Sequence, residues 1–148
     1  MTDIELMQLI YPGAVEDDSC LYGVYSYETM VESLGEILVE THVNDYQGDS
    51  WYLLKKDDLY GYLSFGWGSC SGCDALQRCS SFEEVAELYN QLKNSITWRT
   101  KEETAKWFAE HDWEGDYCYY EEEFKEFLDK IEVFFKEGNW LLYAKVIQ

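Results

Sequence analysis

At Gly35 the period of the chain changes, and this change limits the possible folds more than any other feature. In "EILVETHV" the residues Ile37, Val39, Thr41 and Val43 alternate with Leu38, Glu40 and His42. A two-residue period sends neighbouring side chains to opposite faces, so the segment predicts a strand. The stretches "SWYLLKK" and "LYGYLSFGW" follow, aromatic-rich and separated by the turn compositions "DYQGD" and "DD". Together they predict a three-stranded antiparallel meander. Patterns on both sides are helical, so the expected class is α+β, an antiparallel sheet with amphipathic helices packed on one face.

Helix signals are local and specific. Thr2 with Glu5 makes a capping box for a helix over Asp3 to Ile10, which ends at the Tyr11-Pro12-Gly13 turn. The segment "VEDDSC" reads as loop; in "SYETMVESLG", Ser26 is the expected N-cap and Gly35 the expected left-handed stop. Ser81 with Glu84 starts a helix that sets Phe82, Val85, Ala86, Leu88, Tyr89, Leu92 and Ile96 on one face. Thr100 with Glu103 starts another, burying Ala105, Trp107 and Phe108. A longer one, from about Tyr119 to Lys136, aligns Tyr120, Phe124, Phe127, Leu128, Ile131, Phe134 and Phe135. Gly138 and Asn139 then predict a break, and "WLLYAKVI" a C-terminal strand.

Size and charge bound what such a fold can do. With 148 residues, 47% of them hydrophobic, the chain suits one well-buried core, so a single domain spanning 1–148 is expected. It has 30 acidic against 11 basic residues, a net charge of -19 spread over both halves. That balance disfavours direct contact with nucleic acid or anionic lipid and favours a basic partner. No run of eighteen apolar residues occurs and the N-terminus is acidic where a signal peptide is basic, so the expectation is a cytoplasmic protein with no membrane contact.

The stretch "GWGSCSGCDALQRC" carries three of the five cysteines. As a zinc site it offers Cys70 and Cys73 at the two-residue spacing, with Cys79 as a third ligand. The fourth would come from afar, with His111 and Cys118 ahead of Cys20 and His42. As a redox pair, Cys70 and Cys73 follow a strand as in thioredoxin, but the chain has no proline after Pro12 to face a disulfide. As a structural turn, Gly66, Gly68 and Gly72 permit sharp bends, Ser69 or Ser71 caps the short helix "CDALQRC", and small cysteines pack tightly. The structural reading needs the fewest assumptions.

The succession "DYQGD", "YGYLSFGWGSCSGCDALQ" and "HDWEGDY", covering roughly Asp45 to Tyr120, resembles a family of small acidic proteins of unknown function found in bacteriophage genomes and prophages. The resemblance implies a phage accessory protein acting on host machinery and brings no catalytic residue or cofactor. In "EHDWEGDY", Glu110, Asp112, Glu114 and Asp116 surround His111 and Trp113, but a calcium loop needs a fuller ligand spacing. In "YYEEEFKEFLDKIEVFFKE" the pairs Glu121 with Lys125, Glu126 with Lys130 and Glu132 with Lys136 are expected to stabilise the helix. Glu122, Glu123 and Asp129 have no lysine four residues on.

Three function classes follow. The first is a non-catalytic protein acting by contact, with Glu122, Glu123, Asp129, Trp67 and Trp113 as interaction residues. It would bind a basic, nucleic-acid-handling host protein as an inhibitor or as a partial nucleic-acid mimic. The second is a zinc-stabilised adaptor using Cys70, Cys73, Cys79, His111 and Cys118, its acidic surface serving solubility. The third is a small enzyme depending on cysteine or on the His111 cluster.

Overall fold

The computed structural model describes residues 1–11, 26–68, 74–113 and 120–147, with side chains up to 137 in the last helix. The Pro12 turn, the "VEDDSC" loop, Ser69, Ser71, Cys20, Cys70, Cys73, Cys118 and the acids Glu114 and Asp116 lie outside the described residues. The element order is α1 Asp3–Ile10, α2 Tyr27–Leu34, β1 Glu36–His42, β2 Gly48–Lys56, β3 Leu59–Trp67, α3 Ala75–Arg78, α4 Phe82–Ser95, α5 Lys101–Glu110 and α6 Glu121–Ile147.

The three strands form the expected antiparallel meander in the order β1-β2-β3. Between β2 and β3 the register is unbroken, from Gly48 opposite Trp67 to Lys56 opposite Leu59. Their turn is Asp57-Asp58, where Asp57 takes a left-handed φ of 55° that aspartate tolerates. Along β1 the pairing skips Leu38, since Ile37 faces Leu54 and Val39 faces Leu53. This bulge inverts the parity of the strand. Ile37 accordingly packs on one side of the sheet, while Val39 and Val43 belong to the core on the other.

Helices cover both faces of the sheet, not one. On the first face α1, α2 and α4 bring Met7, Met30, Val31, Val85 and Leu92 onto Tyr52, Leu54 and Leu63. On the second, α5 and α6 bring Ala105, Phe108, Phe127, Ile131 and Phe135 onto Trp51, Leu53 and Tyr60. The cause lies in β2, where Trp51, Tyr52, Leu53 and Leu54 are all buried. A central strand with apolar residues at both parities must be covered twice.

The caps at Thr2, Ser26, Ser81 and Thr100 form as expected, each side chain accepting from the backbone N–H three residues on. Two expected ends differ. Gly35 is extended, with φ 174° and ψ 170°, and makes no left-handed cap. Glycine fits there for space, because a Cβ would lie 3.0 Å from the Lys55 carbonyl oxygen and 3.2 Å from the Trp98 ring. The expected C-terminal strand is instead the last third of α6, which runs through Gly138 and Asn139 to Ile147. A short apolar run fits either period, and glycine inside a helix costs only about 1 kcal/mol relative to alanine.

Candidate functional site

Three places gather chemistry-bearing side chains, and the cysteine turn is the first. Asp74, 3% exposed, is the N-cap of α3 and its organising residue. Its Oδ1 accepts from the Leu76 and Gln77 amides at 2.9 and 3.0 Å and from the Tyr27 hydroxyl at 3.0 Å. Its Oδ2 accepts from the Gly68 amide at 2.9 Å, and Gln77 Nε2 donates back to the Gly68 carbonyl. One carboxylate thus ties the end of β3 to the start of α3 and to α2, and the helix cap expected of Ser69 or Ser71 is Asp74 itself. Cys79 donates its thiol to the Ala75 carbonyl at 3.3 Å, and burial pushes that thiol above its ordinary pKa. A raised pKa keeps it protonated at neutral pH, the form that is a poor nucleophile.

His111 is placed far from that turn. Cys79 packs against the first-face core, whereas the His111 ring lies 4.7 Å from Trp107 and 4.3 Å from Trp113, both packed on the second-face core. The sheet stands between the two described members of the zinc set. Among the described residues no group of three or more His, Cys, Asp or Glu is arranged to hold a metal ion.

The second place was not foreseen. Strand parity puts Glu40 and His42 on one face of β1, and the register sets His42 opposite Ser50. His42 Nε2 meets Glu40 Oε1 at 2.8 Å and its Nδ1 meets Ser50 Oγ at 2.7 Å. In the tautomer that donates Nε2–H to Glu40, Nδ1 accepts the Ser50 hydroxyl proton. The order is that of an acid, a base and a nucleophile. Ser50, however, is 3% exposed and its oxygen also accepts from Trp67 Nε1 at 2.9 Å. A sealed hydroxyl cannot reach a substrate, so the chain Glu40–His42–Ser50–Trp67 pins the ends of three strands together.

The third place is the outer edge of β3. Tyr60 exchanges both backbone hydrogen bonds with Arg99, at 2.7 and 2.9 Å. Backbone groups alternate between the two edges of a strand, so Ser64 and Gly66, four and six residues on, point outward in the same sense. Both are exposed, and no strand lies beyond them among the described residues. Half-buried aromatic rings flank this edge. Tyr62 meets Trp107 at 5.6 Å and Trp113 at 5.7 Å, and the Arg99 guanidinium sits 4.9 Å over Trp107. Trp113 is fixed by its Nε1 donating to the Phe108 carbonyl at 2.8 Å. The two tryptophans expected at an interaction surface therefore differ in role, because Trp67 serves the Ser50 pin and Trp113 stands beside the open edge.

The acids on α6 complete the picture. Glu122 and Asp129 are exposed and Glu123 is half-buried. Of the three expected pairs, Glu126–Lys130 and Glu132–Lys136 close at 3.6 and 2.7 Å, while among the described residues no ion pair joins Glu121 to Lys125; Lys130 also donates to the Glu40 carbonyl at 2.9 Å. No described helix is long and apolar enough to cross a membrane. Fold and surface define a strongly acidic α+β protein with one sheet edge left open among the described residues. Compared with protein families, curated proteins and solved structures, the chain matches none.

Proposed function

We propose that this chain is a non-catalytic acidic accessory protein of phage type, working in the host cytoplasm by contact with a basic, nucleic-acid-handling protein. The observation that carries the reading is how the few cations are used. Lys130 and Lys136 pair with acids of α6 itself, while Lys55, Lys101 and Arg99 sit over the rings of Tyr60, Phe134 and Trp107. Among the described residues Glu122 and Asp129 have no ion pair, and they lie seven residues apart on one helix face. That spacing spans roughly 10 Å at 1.5 Å per residue, a short row of fixed negative charge. Such a row steers a basic surface into encounter and competes locally with phosphates.

The test is capture from a bacterial lysate at low and at high salt, with duplex DNA as competitor. The captured proteins should be basic, released by salt and displaced by DNA. Capture of neutral or acidic proteins that resists both salt and DNA contradicts the proposal.

A further inference from the structure

We infer that the outer edge of β3, at Ser64 and Gly66, binds an extended basic segment of a partner protein as a fourth strand. This rests on the contact reading and names the kind of partner that the surface accepts.

Exposed strand edges template pairing with another chain, and a protein that leaves one open usually blunts it with charge, proline or a bulge. The β1 edge is blunted in that way, by the bulge at Leu38 and by Lys130 on the Glu40 carbonyl. The β3 edge at Ser64 and Gly66 has neither, and its register against β2 is regular. At the Tyr60 end the Arg99 bridge occupies the edge, so an incoming strand has a defined stop.

Charge chooses the occupant. Asp49 faces Gly66 across the β2–β3 pair, and its Oδ1 lies 3.1 Å from where a Cβ on Gly66 would stand. Glycine thereby leaves this carboxylate open toward the edge. Among the described residues no donor reaches it, and burial raises its carboxyl above the ordinary range. An incoming side chain opposite Gly66 has one strand spacing to cross, about 4.8 Å, and a lysine or arginine there would supply the missing cation. Trp107 and Trp113 offer ring surface beside Tyr62 for apolar or cationic side chains of the same segment. A second copy of this chain fits poorly, since its net charge of -19 repels itself.

The test uses an eight-residue peptide of alternating lysine and valine, its glutamate and valine counterpart, and a lysine peptide N-methylated on alternate amides. In the full chain the Ser64 and Gly66 amides should exchange quickly with solvent and slow by at least about tenfold with the lysine peptide alone. Asp49→Asn should weaken that peptide by about tenfold in Kd, the usual worth of one charge-assisted contact. Ser64→Pro removes only an outward N–H, so it should abolish binding while the melting temperature holds, and Ser64→Thr should retain it. The N-methylated peptide should fail against the unaltered chain, a control that does not depend on any variant folding. Equal binding of the methylated and plain peptides, or protection at residues away from β3, overturns the assignment. Protection of Ser64 that grows with protein concentration in the absence of peptide overturns it in favour of a second copy. Capture of a lysate partner that survives Ser64→Pro but is lost at high salt rejects this edge and leaves the contact reading standing.

Discussion

Asp74 shows how much one side chain can hold. It accepts four hydrogen bonds in a 3% exposed position, so Asp74→Ala removes a helix cap and leaves the Tyr27 hydroxyl and the Gly68 amide without their acceptor. A lost cap costs about 1 kcal/mol and each stranded buried donor about 1 kcal/mol or more, so the variant should lose about 3 kcal/mol in denaturant unfolding. A loss below about 1 kcal/mol contradicts the role assigned here. The sequence pointed to serine for this cap because serine preceded the helix pattern. Only the backbone path brings Asp74 within reach of Gly68 and Tyr27 together. Asp49 makes the opposite case, a carboxylate that no donor reaches among the described residues. Burial raises its carboxyl, so the folded chain holds that proton more firmly than the unfolded chain does. Its ionised form therefore costs stability at neutral pH, and the cost disappears as pH falls through the raised value. Asp49→Asn should melt higher than the unaltered chain at pH 7 and match it below about pH 4. Equal melting temperatures at pH 7 contradict this account.

Among the elements, those with a cap and a long amphipathic stripe were legible in advance. α1, α2, α4 and α5 carry Thr2, Ser26, Ser81 and Thr100 at their starts, and their apolar faces are buried as the spacing demands except at Phe82 and Trp107, which are half-buried. What could not be read was where a pattern stops or changes parity. The bulge at Leu38 moves Ile37 to the other face without altering the sequence alternation. The run from Trp51 to Leu54, buried at every position, signals a strand covered on both sides, and a reading by alternation alone passes over it. At Gly138 a glycine that resembles a stop sits inside α6. Gly138→Ala tests that placement: within a continuous helix it should stabilise the chain by up to about 1 kcal/mol and hold or raise the helical dichroism signal. A destabilised variant with less helix would restore the break and the strand.

At the scale of the whole molecule, the α+β class and the meander follow from the period change, whereas the open edge depends on strand order and on Arg99 stopping at Tyr60, which no local pattern encodes. The Glu40–His42–Ser50–Trp67 pin was equally hidden, since it joins residues of three strands through register. The net charge, by contrast, was plain from composition, and the fold shows that the cations over Tyr60, Trp107 and Phe134 are turned toward the protein's own rings. Under the proposed function, uncompensated carboxylates on this surface attract a basic partner. The direct measurement is the association rate of the captured partner with the chain and with a triple variant, Glu122→Gln, Glu123→Gln and Asp129→Asn, across salt. At low salt the variant should associate roughly tenfold more slowly, and the gap should close as salt above 0.1 M screens the field within about 10 Å, with melting temperature unchanged or slightly raised. Equal association rates at low salt contradict the claim.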